Sequence, residues 1–508
     1  MKKQNYNFQE DIVSEVLLKL KKSKKVLVAA NCGLGKTFIG SSIIRDFVKR
    51  GKRVVVSAYS LNEIKISWLE KIIAHNLIQP KDLQVVSNDT SLNKKYPKIR
   101  FVKRSEIDKS IPVTVIIPQS VRKTDLENVD LFVIDEAHEY LEVEDGKLVG
   151  IIKEASHKET RIVGLTGTAH DLLDKEIFNR EDPDVDFVIR DIFFALKTKT
   201  ILPTEVHLEY FEFPIKKEFY KKDGTLNNRG TKLLSSKLFK QLQLKEVLKK
   251  CSNSKKTLVI VPRGDKINEA LKYFIDSEID KSCTVMKSSK QEDSLNRDAE
   301  IQFRKNPNIK FMVVVDMCGT GWDFNELDNV IDLTFTKNRK LIIQRMNRPC
   351  RYFEGKKPRY FYCTDQSKHS YEAPLTIMEC FNLMTYEGIT NPLKASREIM
   401  VDEKMLEAIS ETICLGKRRG SFCFGDIQKY FRNGKPRVSQ HKTLVFNQFK
   451  NSEGLYPWQV WSLSLVGKNK KDYPKERLNR VREYLSNLKN TIPENSDLFL
   501  DKAKEALS

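Results

Sequence analysis

The sequence predicts an α/β protein built as two tandem parallel-sheet lobes followed by a smaller, mainly helical C-terminal domain. Short apolar, β-branched runs bounded by turn residues alternate with longer helical patterns, which is how strands buried in a parallel sheet read. That alternation occurs twice along the chain, and the strand signal then fades after about Asp365. The 508 residues exceed what one core supports, so roughly two to four domains are expected.

In the first series a helical segment, Asp11–Leu20, precedes a strand at Val26–Ala30, a glycine-rich turn and a second helical pattern from Thr37. Further strands are expected at Val54–Ser57, Val113–Ile117, Leu131–Asp135 and Arg161–Thr166. A segment from about Pro203 to Ser254, with a lysine-rich helical stretch, links this series to the next. The second series places strands at Thr257–Val261, around Val285, and at Phe311–Val315, Val330–Leu333 and Tyr360–Cys363, with helices such as Lys266–Phe274 and Ser294–Arg304 between them. Residues 371–415 read as helices, 416–470 as basic and aromatic, and 472–508 as a charged helical tail. The expected domains are therefore 1–200, 201–370 (linker and second lobe) and 371–508 (basic, aromatic accessory domain).

Composition excludes several classes. No apolar run is long enough for a transmembrane helix. The basic N-terminus turns polar at once, so no secretory signal is expected. The nine cysteines are scattered, with no Cys-x-x-Cys pair, and the seven histidines show no ligand spacing. A disulfide framework and a structural zinc site are therefore not expected, and a reducing compartment, the cytoplasm, is. The excess of 89 Lys and Arg over 68 Asp and Glu gives a net charge of +21, which favours a polyanionic partner without locating its site.

Two segments carry chemistry. The first, Val26-Leu-Val-Ala-Ala-Asn-Cys-Gly-Leu-Gly-Lys-Thr37, is a strand running into a phosphate loop. Ala30, Asn31, Cys32, Gly33, Leu34 and Gly35 form the loop, whose glycines let backbone N–H groups turn toward phosphate oxygens. Lys36 supplies charge to the β- and γ-phosphates and Thr37 a hydroxyl to magnesium. The usual first glycine is Ala30 here.

The second segment, Leu131-Phe-Val-Ile-Asp-Glu-Ala-His138, ends a strand on two adjacent carboxylates. Asp135 is placed to hold magnesium through its waters, and Glu136 to orient the attacking water; both are candidate metal-site residues. His138 is a candidate for coupling this site to the neighbouring lobe. An Asp-Glu pair after a strand is usually an ordinary turn. A phosphate loop about one hundred residues upstream, with strands between, makes this one specific.

Over roughly residues 5–365 the chain resembles a superfamily 2 helicase of the DEAH-box type. Tyr6, Phe8 and Gln9 resemble the aromatic-glutamine element that reads adenine. Leu165-Thr-Gly-Thr168 resembles the element linking hydrolysis to lobe movement, and Val315–Asp323 the second-lobe Gly-x-Asp element. Gln344-Arg-Met-Asn-Arg-Pro-Cys-Arg351 resembles the Gln-Arg-x-Gly-Arg-x-x-Arg motif, with Asn347 for the family glycine.

The resemblance implies RecA-like lobes, ATP and Mg2+ as cofactors, and nucleic acid as partner. Arg348 and Arg351 would act as arginine fingers, with Gln344 beside them. Gly321 and Asp323 would contact the nucleotide. Tyr59 and Ser60, where the family's proline is missing, together with Thr166, Thr168 and Gly319, would contact nucleic acid. Thr114 to Ser120 sits near the next strand-gripping element. Lys417, Arg418 and Arg419 add a basic cluster beside aromatics that are themselves expected to form the small domain's core.

The function expected is an ATP-dependent DNA helicase or translocase, similar to phage- and restriction-type motors, unwinding or remodelling DNA in repair, recombination or replication. DNA is favoured over RNA, a monomer is plausible, and no membrane is involved. An RNA helicase, the translocating subunit of a restriction or defence complex, and a non-enzymatic nucleic-acid scaffold are the alternatives. No nuclease motif is present in the sequence.

Overall fold

A computed structural model describes residues 7–365, apart from 59–67, 70–71, 73–76, 88–95, 142–145, 157–158, 170–171, 173–174, 265, 289–290 and 316–323. Beyond 365 it describes Thr376, Ile377, Cys380, Met384 and three short strands. The chain divides into two compact units, with the change at Thr200 and Ile201.

The first unit opens with helix α1 (Asn7–Lys19), then strand β1 (Lys25–Ala30) and helix α2 (Lys36–Lys49). Seven more strands follow: β2 (Val54–Ser57), β3 (Leu83–Val86), β4 (Arg100–Val102), β5 (Val113–Ile116), β6 (Leu131–Asp135), β7 (Arg161–Thr166) and β8 (Val185–Arg190). They form one parallel sheet in the order β4-β3-β5-β2-β6-β7-β1-β8. β1, β2, β5 and β6 are buried at every position. That is why they read as unbroken apolar runs. Leu27, Phe132, Ile134, Ile162 and Phe178 share one core, each side chain worth about 1.5–3 kcal/mol on burial.

The second unit repeats the plan. Its strands are β9 (Glu205–Tyr210), β10 (Thr257–Val261), β11 (Thr284–Lys287), β12 (Phe311–Val315), β13 (Asn329–Asp332), β14 (Arg359–Thr364) and β15 (Ser421–Cys423). The order is β11-β12-β10-β13-β14-β9-β15, parallel except for β15, which runs antiparallel along β9. A two-stranded piece, β16 (Phe431–Arg432) with β17 (Lys435–Pro436), completes the described structure. The helices expected at 371–415 and 472–508 fall almost wholly outside the described residues.

The segment expected to be a linker does more than link. Its β9 joins the second sheet beside β14, and its helices Asn228–Lys237 and Leu242–Cys251 bury Leu234, Leu244 and Val247 in the same core as Val259, Val313 and Phe361. Glu209 on β9 is fully buried and accepts hydrogen bonds from Gln243 and Lys250 on the second of those helices. A buried carboxylate that loses its cation is costly. Lys250→Ala should therefore destabilise the second unit by about 2 kcal/mol, less than for a wholly buried pair because Lys250 reaches solvent. Urea unfolding of the variant against wild type checks this.

A candidate nucleotide site at three strand ends

β7 lies between β6 and β1 in the first sheet. The register sets Ala29 beside Thr166 and Asp135 beside Leu165. The carboxyl ends of three neighbouring strands therefore release the phosphate loop, the acidic pair and Leu165-Thr-Gly-Thr168 along one edge. That edge is where open parallel sheets take ligands.

The loop after β1 is shaped by backbone that only some residues adopt. Asn31 N–H donates to Arg190 O on β8 at 2.9 Å, and Leu34 N–H turns back to Asn31 O at 3.3 Å. Gly33 and Gly35 have φ of 98° and 80°, and α2 begins at Lys36. Gln9 Nε2 donates to Leu34 O at 2.9 Å. A Cβ at Gly35 would stand 2.3 Å from that nitrogen and would push the Gln9 amide off the loop. Asn31 is fully buried, and its Oδ1 has no hydrogen-bond partner among the described residues. Cys32 is a free, partly exposed thiol. Thr37 sits in the first turn of α2, partly exposed, and its carbonyl accepts from Ser41 Oγ at 2.7 Å. Ala30 ends β1 with no exposure.

Gly167 makes room for the lysine. A Cβ there would lie 3.0 Å from Lys36 Nζ and 3.3 Å from Cys32 Sγ. The loop after β7 is thus one wall of the space in which the Lys36 ammonium lies.

Asp135 ends β6 almost fully buried. Its Oδ2 accepts from Trp68 Nε1 at 2.6 Å and its Oδ1 from Glu136 N at 3.0 Å. Burial first, and then the charge of Glu136, push its pKa up to about 6; Lys36 and the two donors act the other way. Glu136 has φ of 47°, an uncommon conformation for a side chain of that size. His138 is buried, with Nδ1 3.0 Å from Thr166 Oγ1 and 3.5 Å from Glu136 Oε2, and Nε2 3.1 Å from Glu139 Oε1. Ala137 N–H donates to Leu165 O at 3.0 Å. The acidic box is therefore tied to the end of β7 by backbone and side chain together.

Thr166 and Thr168 are both buried, and the Thr166 hydroxyl is engaged with His138 and with the backbone of Thr168. Thr168 Oγ1 is itself buried without a hydrogen-bond partner among the described residues.

In the second unit, Gln344 and Arg345 are buried on the helix Arg339–Met346, and Arg348 and Arg351 follow it partly exposed. Arg345 Nη1 donates to both Asp332 carboxyl oxygens at 3.1 and 3.0 Å and to Thr334 Oγ1 at 2.5 Å. Tyr360 OH donates to Asp332 Oδ2 at 2.9 Å. Burial and the Asp332 charge hold the Tyr360 phenol well above its usual pKa. Asn347 adopts φ −83°, ψ 0°, an ordinary right-handed conformation, and its Nδ2 donates to Ile343 O at 2.9 Å. The position thus asks for no glycine, and asparagine caps the helix it follows.

Tyr6, Tyr59, Ser60, Gly319, Gly321, Asp323, Lys417, Arg418 and Arg419 lie outside the described residues. Sequence reasoning passed over Trp68, which no motif marks, and gave Arg345 no role although it lies inside a motif.

The residues fit magnesium. Thr37 in the first turn of α2 supplies a hydroxyl, and Asp135 and Glu136 supply a carboxylate pair at the end of β6. Among the described residues no cluster of three or more His, Cys, Asp or Glu forms a protein cage. Magnesium keeps several waters and takes phosphate oxygens, so it needs only one or two carboxylates.

A parallel α/β sheet with a phosphate loop and a neighbouring acidic pair at its carboxyl edge defines a phosphate-loop nucleotide-binding lobe. Residues 2–171 match the family described as type III restriction enzyme, res subunit, and residues 239–353 match the helicase conserved C-terminal domain. Together these domains indicate a superfamily 2 helicase, and they imply nucleotide hydrolysis, with ATP and usually magnesium, acting on nucleic acid. No curated protein matches the chain.

Solved structures resemble it. A DEAD box protein from the hyperthermophile Methanococcus jannaschii is 18% identical, with 74% of this chain and 90% of that one covered, at TM-score 0.40. S. cerevisiae Dbp5 bound to RNA and ADP BeF3 is 14% identical over 73% and 87%, at 0.48. A fragment described as an HsdR subunit of a type I restriction enzyme from Vibrio vulnificus is 14% identical over 70% and 63%, at 0.48. Among the described residues no helix is long and apolar enough to cross a membrane.

Two outcomes are expected. Gly167→Ala should weaken binding of a fluorescent ATP analogue about tenfold by displacing the Lys36 ammonium, with little change in thermal midpoint; equilibrium titration checks it. Asp135, raised to about 6, is neutral at acid pH and ionised above it. Because its folded pKa lies above the unfolded one, ionising it costs the cation-free fold stability as pH rises through that range. Magnesium with nucleotide takes the ionised form. Magnesium-dependent nucleotide affinity should therefore rise as pH increases through about 6, and titration of the analogue between pH 5 and pH 8 tests it.

Proposed function

We propose that the chain is an ATP-dependent DNA helicase or translocase that couples hydrolysis at the three strand ends to unwinding or branch remodelling. The observation that carries the reading is the convergence of Lys36, Asp135, Glu136 and Gly167 at one sheet edge. DNA is favoured because the family matched over residues 2–171 is described as a restriction enzyme subunit. The net charge of +21 suits a polyanion.

In this reading the residues divide the work. The phosphate-loop backbone and Lys36 hold the phosphates; Thr37 and Asp135 hold the cation, which when bound neutralises developing phosphate charge. Glu136, beside Asp135 and near His138, accepts the proton of the attacking water. Gln9, bonded to the loop carbonyl of Leu34, would link adenine to that loop. Arg348 and Arg351 follow a helix held by the Arg345–Asp332 pair, and the arginine-finger role that the resemblance implies is kept for them.

Strand displacement is the direct test. With ATP and magnesium, wild type should release a labelled strand from forked DNA and scarcely from the matching RNA. Glu136→Gln should bind ATP as wild type does and lose displacement at least about a hundredfold, the scale of a removed general base. Displacement of RNA alone would move the reading to an RNA helicase. Near-normal turnover in Glu136→Gln would remove Glu136 from the mechanism.

A further inference from the structure

Trp68 comes from the stretch after β2, outside both the phosphate loop and the acidic segment, and it is buried. Its ring packs over α2: a Cβ added at Gly40 would meet Cη2 and Cζ2 of the indole at 3.5 Å. Its Nε1–H donates to Asp135 Oδ2 at 2.6 Å. A buried indole N–H takes any acceptor in reach, a backbone carbonyl included. This one takes a carboxylate, which makes the bond charge-assisted and stronger than a neutral one.

The geometry at Asp135 shows what the bond does. Glu136 N–H donates to Oδ1 and Trp68 Nε1–H to Oδ2, one donor on each oxygen. The outer torsion of an aspartate is otherwise broad. With a donor fixed on each side, rotation would break both bonds. Asp135 is buried, so water does not replace a lost donor at low cost. An ionised carboxylate has about four lone-pair sites, so the two donors still leave acceptors over for a cation's waters. The indole therefore orients the carboxylate without using it up.

We propose that Trp68 is a positioning residue of the magnesium site, holding the Asp135 carboxylate in the one orientation that takes the cation together with nucleotide. The proposal rests on the ATP-and-magnesium reading above and adds a residue that no motif marks. The competing account is that Trp68 only fills the space beside Gly40. The two accounts separate when the N–H is removed and the ring is kept.

Trp68→Phe removes the N–H and keeps an aromatic six-membered ring, and benzothienylalanine keeps the whole bicycle. The affinity of a fluorescent ATP analogue is measured for wild type and variant, once with magnesium and once with chelator, and the thermal midpoint reports folding. The expected result is about tenfold weaker binding in magnesium and unchanged binding in chelator, the loss of one hydrogen bond to a charged acceptor. Where Trp68→Phe does not fold, benzothienylalanine at position 68 keeps the bicyclic shape, puts sulfur for N–H and gives the same comparison. No loss in either condition, or an equal loss in both, overturns the proposal and leaves Trp68 a packing residue. A wild type whose affinity ignores magnesium overturns the ATP-and-magnesium reading itself, and the proposal with it.

Discussion

The parallel register of β6, β7 and β1 is the constraint on which the candidate site depends. Asp135 stands beside Leu165, and Ala29 beside Thr166. A slip of one residue would turn every side chain on a strand to the opposite face and move Asp135 off the strand end. Because three strands end together, the phosphate loop, the acidic pair and the Gly167 turn need no long loops to meet. Their spacing is a property of the sheet.

Asp135 and His138, both buried at that edge, are given partners. Asp135 has two donors and the Lys36 charge. His138 is bound to Thr166 and flanked by Glu136 and Glu139. In the second unit Asp332 is held by Arg345, Thr334 and Tyr360, and this network fixes the helix whose end carries Arg348 and Arg351. Buried pairs of this kind add little net stability, but breaking one is costly. The same economy explains Glu209, which locks a helix of the second unit to β9 and makes the supposed linker part of the sheet.

Legibility in the sequence followed burial. Strands buried on both faces, such as Leu131–Asp135, Arg161–Thr166, Thr257–Val261 and Phe311–Val315, stood out as apolar runs and match the structure at both ends. β9 alternates apolar with polar residues, β8 carries Asp186 and Arg190 and is only partly buried, and β3 and β4 are short, so their signal was lost among turns. Motif residues were legible because chemistry restricts them: Lys36, Asp135 and Glu136 are at the strand and helix ends their spacing implied. Trp68 was not legible, since its role lies in a contact 67 residues away in sequence. Thr166 and Thr168 were located by a motif match, and the structure buries both, with the Thr166 hydroxyl bonded to His138 and to the Thr168 backbone.

The account as a whole stands on nucleotide hydrolysis that depends on magnesium and answers to nucleic acid. Steady-state ATP hydrolysis by the full chain, with magnesium or with chelator and with or without DNA, measures this most directly. The account predicts turnover only with magnesium, rising when DNA is added and falling again as salt screens the phosphate contacts. Turnover that persists in chelator, or that is absent in magnesium with DNA and RNA alike, would contradict it.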